Sequence, residues 1–184
     1  MRHVAFFRGM NLGQRRSHSP TTAELLDALR RAGASAATNV QTNGTVIFAG
    51  TRPDQLARTA VELLGPVCGY SDAVVVRSEA WVRGLAATLD AALPGGEVAL
   101  FDAREPPPVD APWTDPASPL TIVALDARHA VTSWAAGRFG STANPVLTGM
   151  LGVPVTCRGV GTMLRLPRRL DSPAPGGAPR SSRA

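Results

Sequence analysis

The order of strand-like and helix-like segments in residues 3–78 is the feature that most limits the folds open to this chain. An apolar strand, HVAFF at residues 3–7, is followed by an amphipathic helix, two consecutive strands, a second helix and another strand. The order β-α-β-β-α-β is that of the ferredoxin-like arrangement, an antiparallel sheet with two helices on one face. Residues 1–77 therefore predict a ferredoxin-like α+β half.

Two local patterns mark the boundaries of these segments. Thr21 and Glu24 have the spacing of a capping box at the start of the first helix, and Gly33 is placed to end it. Asn43 and Gly44 form a tight-turn signal between two β-rich runs. The helix and the hairpin are thus predicted from separate kinds of signal.

Residues 78–170 repeat this alternation in a looser form. They predict a second α+β half of similar design, with an acidic, proline-rich connection at residues 102–119. GTMLRL at residues 161–166 predicts a short helical turn cut off by Pro167, and the tail at 171–184 predicts disorder. We expect an α+β protein of two similar halves, with antiparallel or mixed sheets that carry helices on one face.

The charge of the chain is distributed unevenly. All 19 basic residues are arginine, and the formal net charge is +5. Residues 1–52 hold seven arginines against two acids and residues 127–184 hold eight against one, whereas residues 53–126 hold four against eleven. If the two ends meet in space, they form one positive face that attracts polyanions. The alternative is that the acidic middle folds back and neutralises this face.

The sequence gives no positive signal for several classes of function. Cys68 and Cys157 lie far apart and outside any Cys/His cluster, which argues against a metal site and a disulfide scaffold. No apolar stretch reaches the length of a membrane span and the N-terminus is strand-like, so we expect a cytoplasmic protein without a membrane partner. His3, His18 and His129 lack the partner motifs of a catalytic group, and RGMNLG at residues 8–13 fits neither of the common nucleotide-binding loop patterns, so neither an enzyme nor a cofactor is positively indicated.

Three stretches together resemble a known family: HVAFFRGMNLG at residues 3–13, NVQTNGTVIFAG at 39–50 and LGVPVTCRGVGTMLRL at 151–166. In this order and separation they are similar to the bacterial domain of unknown function 1697 family. The positions that match its motifs are Arg8, Gly9, Asn11, Gly13, Gln41, Thr156, Arg158 and Thr162. The turn at residues 41–44 and the block at 158–162 depart from the family's usual residues. The resemblance implies a fold and a set of residues, and no reaction.

The candidate site consists mainly of arginines. We expect a non-catalytic protein that contacts the phosphate backbone of DNA or RNA with low sequence specificity, because few aromatic residues are available for base stacking. The candidate contacts are Arg8, Asn11, Arg15, Arg16, His18, Gln41, Arg158, Arg165, Arg168 and Arg169. Asn11 and Gln41 would either contact the ligand or brace the loop. A homodimer formed through exposed sheet edges is compatible with this function.

Two alternatives stay open. The basic stretches are a solvated surface without a partner, or the chain is an enzyme or a small-molecule anion-binding protein. In the second case the pocket lies between the 8–18 loop and the 156–165 block, where Arg8 and Arg158 grip the ligand. A broad positive surface in the structure favours nucleic acid, whereas a closed pocket with convergent Arg, Asn and His side chains favours a ligand.

Overall fold

The fold is α+β, as the sequence predicts, and its strands form two antiparallel sheets. The computed structural model describes residues 1–134 and 143–172. The elements within these residues are β1 (Arg2–Phe7), a 3-10 turn (Arg15–Ser17), α1 (Thr22–Arg31), β2 (Ala36–Gln41), β3 (Thr45–Ala49), α2 (Pro53–Cys68), β4 (Val74–Ser78), α3 (Glu79–Ala86), β5 (Glu97–Leu100), β6 (Trp113–Thr114), β7 (Leu120–Leu125), β8 (His129–Trp134), α4 (Ala143–Leu151), β9 (Thr156–Gly159) and α5 (Val160–Asp171).

The first sheet has the strand order β2-β3-β1-β4, in which every neighbouring pair is antiparallel. This is the strand order that a ferredoxin-like βαββαβ unit adopts when the hairpin strand β3 lies between β1 and β2. Side chains alternate between the two faces of each strand. Ala5 and Phe7 of β1 therefore share one face with Val76 of β4, and this face packs against Leu25 of α1 and Leu64 of α2.

The opposite face of the first sheet is covered by helices from the second half of the chain. Val4 and Phe6 of β1 belong to a buried cluster with Val82 of α3 and with Met163 and Leu166 of α5. Val98 and Leu100 of β5 lie in the same cluster. The boundary expected near residue 77 thus separates two sheets that share one apolar core.

The second sheet has the order β6-β7-β8-β5-β9. Its face away from the shared core contributes Phe101 and Ile122, which pack with Leu147 of α4. The connection at residues 102–119 contains the two-residue strand β6 and is otherwise irregular. Of the tail expected to be disordered, residues 173–184 lie outside the described part of the chain.

Both local signals in the first half are confirmed. The Thr21 side chain accepts from the backbone N–H of Glu24, and the Glu24 carboxylate accepts from the backbone N–H of Thr21, which completes the capping box. The hairpin turns between Gln41 and Thr45, with Gly44 at a φ of +70°. A Cβ at Gly44 would lie 2.9 Å from the side chain of Met10, so both the backbone and the packing require glycine there.

The prediction that Pro167 ends the helical turn was wrong: α5 continues through Pro167 to Asp171, the first residue of the expected tail. Proline inside a helix removes one backbone hydrogen bond and costs roughly 3 kcal/mol. Apolar residues on one side of α5 are buried, namely Val160, Met163, Leu166 and Leu170. Each such side chain contributes about 1.5–3 kcal/mol when fully buried, so their combined burial outweighs the proline.

Candidate functional site

The first loop and the closing block of the chain meet at the end of β1, beside the β2–β3 turn. The Nε–H of Arg8 donates to the backbone carbonyl of Val155 at 3.1 Å. From the other direction, Arg158 donates to the carbonyls of Phe7 at 2.9 Å and Asn43 at 2.8 Å. Two arginine side chains therefore join three segments that are distant in sequence.

Arg158 is a core residue with only 4% of its surface exposed. Its Nε–H donates to Oγ1 of Thr45 at 2.8 Å, and Nη1 donates to Oγ1 of Thr156 at 2.9 Å and to the Cys157 carbonyl at 2.7 Å. With the two Nη2 bonds, all five N–H donors of the guanidinium have acceptors. Burial lowers the pKa of Arg158 to about 10, so the group remains charged near neutral pH. Contrary to the sequence-based expectation, Arg158 has no donor left for a phosphate.

Arg8 is half-buried and already has a carboxylate partner. Its Nη1 donates to both carboxylate oxygens of Asp72, at 2.9 and 3.0 Å. The hydroxyl of Tyr70 donates to the carbonyl of Arg8 at 2.7 Å, and burial raises the pKa of Tyr70, which keeps this donor protonated. Arg8 thus braces the loop, and Asp72 offsets its charge.

The remaining basic residues of the first loop lie on the exposed 3-10 turn beside α1. Arg15 donates to the carboxylate of Glu24, the capping residue of α1. Arg16 has no ion pair with the described residues and is exposed. His18 is exposed, has left-handed backbone (φ 53°), and lies so close to Gly69 that an added Cβ there would be 2.7 Å from its Nδ1.

Asn11 and Gln41 differ in their surroundings. The backbone N–H of Asn11 donates to Oγ of Ser19 at 2.9 Å, while its side chain is exposed. Oε1 of Gln41 accepts from Oγ1 of Thr162 at 3.0 Å and from Nδ2 of Asn43 at 3.2 Å. Gln41 therefore ties the hairpin turn to the first turn of α5, in agreement with the bracing role.

The three arginines of α5 are exposed along the solvent side of this helix. Among residues 1–134 and 143–172, no carboxylate lies within ion-pair distance of Arg165, Arg168 or Arg169. The helix starts beside Gln41 at the end of β2, and Arg169 lies near Ala36 at the start of β2. The arginines of α5 therefore follow the length of β2.

The loop arginines and the α5 arginines are on different sides of the first sheet. The 3-10 turn contacts α1, which packs on one face, whereas α5 covers the other face. The first loop and the closing block do meet, through Arg8 and Arg158, but Arg158 uses all its donors within the protein and Asp72 offsets the charge of Arg8. The exposed residues of the candidate site are thus divided between two patches, one on the first loop and one on α5.

A cavity of about 420 Å³ adjoins the first loop and is lined by Gly9, Ser17, His18, Tyr70 and Asp72 among others. The segment before β4, residues 69–72, forms one side of its lining. At the junction of the 8–18 loop and the 156–165 block, Arg8 and Arg158, the two arginines expected to grip a ligand, both bind protein groups.

Arg77 in β4 is a residue that the sequence pattern did not single out. It is 1% exposed, and its guanidinium donates to the carboxylate of Asp102 at 2.8 Å and to the carbonyl of Arg128 at 2.8 Å. The signal that could have found it is a charged residue directly after the apolar run VVV in β4, because a buried charge requires dedicated partners.

The described residues contain neither a metal-binding cluster nor a membrane-spanning helix. No group of three His, Cys, Asp or Glu side chains is arranged to hold a metal ion in this part of the chain. None of the helices described here is both long enough and apolar enough to cross a membrane.

Comparison with known proteins identifies the family. The family model described as "Protein of unknown function (DUF1697)" matches residues 1–96, about half of the chain. The chain belongs to the DUF1697 family. The matched segment contains two of the three motifs that carry the resemblance, the first loop and the hairpin, while the closing block lies beyond it.

Structural comparison supports the same fold for most of the chain. The conserved bacterial protein SP0830 from Streptococcus pneumoniae aligns with a TM-score of 0.57 and 15% sequence identity, over 92% of this chain and 98% of that one. At this identity the similarity shows the fold alone. Among curated proteins, no similar sequence is found. Neither the DUF1697 description nor this neighbour supplies an activity.

Proposed function

We propose that this DUF1697 protein binds the phosphate backbone of nucleic acid, without catalysis, through the solvent side of α5. One observation carries the proposal: Arg165, Arg168 and Arg169 are exposed and have no carboxylate partner in the described part of the chain. A guanidinium that is not neutralised within the protein is free to pair with a phosphate oxygen.

The spacing of these arginines suits a chain of phosphates. Residues three and four positions apart on a helix are neighbours, with about 5–6 Å between their Cβ atoms. Arg165 therefore lies beside both Arg168 and Arg169 on one side of α5. Three adjacent cations on a rigid helix attract successive phosphates and read no base, so low sequence specificity is expected.

Most of the other predicted contact residues are already bonded or buried within the protein. Arg8, Arg15 and Gln41 have partners within the protein, and Arg158 is buried. Arg16 and His18 form a second, smaller patch next to α1. Arg16 adds to the positive field of a chain with a net charge of +5, and this field speeds encounter with any polyanion.

A homodimer remains part of the proposal. β2 is an edge strand of the first sheet and its residues are only half-buried. Pairing of two β2 edges would place the α5 helices of both copies on one extended sheet, and would double the number of arginines that face a nucleic acid.

The test is a fluorescence anisotropy titration of labelled single-stranded and double-stranded DNA and RNA at low salt. The variant Arg165→Ala/Arg168→Ala/Arg169→Ala is expected to bind at least about tenfold more weakly than the wild type, since each lost phosphate contact removes counterion release. The control variant Arg31→Ala/Arg58→Ala/Arg104→Ala removes the same charge from exposed positions elsewhere and is expected to bind more tightly than the α5 variant. Equal binding by the two variants, or no binding by the wild type, would overturn the proposal.

A further inference from the structure

A groove of about 80 Å³ lies between the outer strands of the first sheet and the last turn of α5. Residues of β2 and β3 form its floor, namely Ala36, Thr38, Val40, Ile47 and Ala49. Alternate residues of a strand share one face of the sheet, and these five lie on the face that α5 covers. Arg2 of β1 and Arg169 and Ser172 at the end of α5 also line the groove.

The groove exists because short side chains are in register on neighbouring strands. Ala36 pairs with Ala49, which in turn pairs with Arg2 on β1. Two adjacent methyl side chains leave space that a larger side chain at either position would fill. In the next row on the same face, Thr38 pairs with Ile47. Ala36, Thr38 and Ala49 are only half-buried, so a largely apolar floor is accessible from solvent.

The charged residues that line the groove are both arginines. Arg169 has no carboxylate within ion-pair distance in the described part of the chain, and Arg2, paired with Glu79 at 3.0 Å, is still 36% exposed. Asp171, the acid nearest to Arg169 along α5, is bonded to Arg83 of α3 at 2.7 Å. No Asp or Glu is among the described residues of the lining. An apolar floor beside an unneutralised arginine suits a ligand that joins an apolar group to a negative charge.

The position of Arg169 identifies such a ligand. Arg169 belongs both to the groove and to the row of exposed arginines on α5. Because every phosphate of a nucleic acid is linked through a sugar to a base, a strand held by this row brings a base to the groove. The groove is smaller than the roughly 150 Å³ cavity that encloses a benzene ring, so it takes the edge of one planar ring. Bases of a duplex are paired and stacked, whereas bases of a single strand can turn out of the stack.

We propose that this groove receives a base of single-stranded nucleic acid. The inference rests on the proposed function, because the α5 arginines hold the phosphates, and it names the single strand as the substrate class. The base lies against Ala36, Thr38 and Ala49, and an adjoining phosphate pairs with Arg169. Contacts with the ring of a base do not depend on which base it is, so the low sequence specificity is retained.

The experiment compares three labelled probes by fluorescence anisotropy at one salt concentration: an oligothymidylate, an abasic strand with the same number of phosphates, and a duplex of the same length. The wild type is expected to bind the oligothymidylate about tenfold more tightly than the abasic strand, the effect of burying roughly 55 Å² of apolar surface. Ala36→Leu fills the groove and is expected to remove this preference, with the affinities for the abasic strand and the duplex unchanged. Thr38→Leu, which fills the groove from the next row, is expected to give the same result.

Three comparisons separate the groove from other causes. Ala124→Leu, at an exposed strand position of the second sheet, is the matched control and is expected to keep the tenfold preference. The α5 triple variant is expected to weaken the binding of all three probes, because it removes phosphate contacts. Sedimentation velocity of the wild type and Ala36→Leu without nucleic acid tests whether a second copy of this chain fills the groove, and the same oligomeric state is expected for both.

Equal affinity of the wild type for the oligothymidylate and the abasic strand would overturn the inference and leave the phosphate-binding proposal intact. Equal losses in Ala36→Leu and Ala124→Leu would also overturn it. A variant Ala36→Leu that loses self-association but keeps the preference for bases would assign the groove to a second copy instead. A wild type that binds none of the three probes would overturn the proposed function itself, and this inference with it.

Discussion

Arg158 and Arg165 lie seven residues apart in one motif block, yet the first is a core residue and the second is exposed. The sequence marks both as arginines in a family-like segment and therefore predicts one role for them. What separates them is the three-dimensional arrangement: the carbonyls of Phe7 and Asn43 are brought to Arg158 by β1 and the hairpin, from more than 100 residues away. A single sequence does not reveal acceptors supplied over such distances.

At this scale we predict that Arg158→Lys lowers the free energy of unfolding by about 3 kcal/mol or more. Lysine has three donors on a flexible stem and cannot reach five acceptors, so buried carbonyl and hydroxyl oxygens are left unpaired. Urea denaturation measures the effect. Arg165→Lys, at an exposed position, is the matched control and should change stability by no more than about 0.5 kcal/mol. Equal stability of the two variants would contradict the role given to Arg158.

Elements whose boundaries depend on neighbouring residues in the sequence were predicted correctly. The length of α5 was not, because it depends on distant contacts. The capping box of α1 and the turn between β2 and β3 depend on residues within a few positions of one another. The length of α5 instead depends on contacts of Met163 and Leu166 with α3 and the first sheet. Pro167 is a local stop signal, and burial against distant elements overrides it.

For α1 we predict that Thr21→Ala lowers the stability of the protein by about 1 kcal/mol at neutral pH, because the helix loses its N-terminal cap. The hydrogen bond from the Thr21 backbone, and then that from Arg15, lowers the pKa of Glu24 below its ordinary value of 4.5. The folded state therefore holds the Glu24 proton less tightly than the unfolded state. The stabilisation by Glu24 is complete above pH 4.5 and is lost as the pH falls through the lowered pKa.

Chemical denaturation of the wild type, Thr21→Ala and Glu24→Gln at neutral pH and below pH 4 measures both effects. Thr22→Ala, at the exposed position after the cap, is the control for Thr21→Ala. If wild type and Glu24→Gln differ in stability as much at the low pH as at the high one, the assignment of this pH dependence to Glu24 is contradicted.

At the scale of the whole molecule, the order of the elements predicted the first sheet but not what covers its second face. Helices α3 and α5 lie after residue 78 and pack on Val4, Phe6, Ile47 and Val75. We therefore predict that a chain of residues 1–78 does not fold on its own, because these apolar side chains would face water. Urea unfolding of this fragment and of residues 1–172 makes the comparison. A cooperative transition of the fragment, at a midpoint close to that of the longer chain, would show instead that the first half is independent.

At this scale, the charge pattern of the sequence does not show which arginines stay exposed. It left open whether the two basic segments meet, and they do meet, through Arg8 and Arg158. It could not show that Arg158 is buried with all its donors bonded or that Arg8 is paired with an acid, because their partners are backbone carbonyls, hydroxyls and Asp72 of the acidic middle. The positive surface that remains on α5 consists of charges for which the described residues offer no partner.

The salt dependence of nucleic-acid binding tests this account most directly. For double-stranded DNA, the slope of log Kobs against log salt concentration is about −0.9 for each phosphate contacted. The variant Arg165→Ala/Arg168→Ala/Arg169→Ala is therefore expected to show a slope shallower than that of the wild type by about 2 to 3. The Arg31→Ala/Arg58→Ala/Arg104→Ala control is expected to keep the wild-type slope. A wild-type slope near zero, or equal slopes for the wild type and the α5 variant, would contradict the assignment of α5 as the phosphate-binding surface.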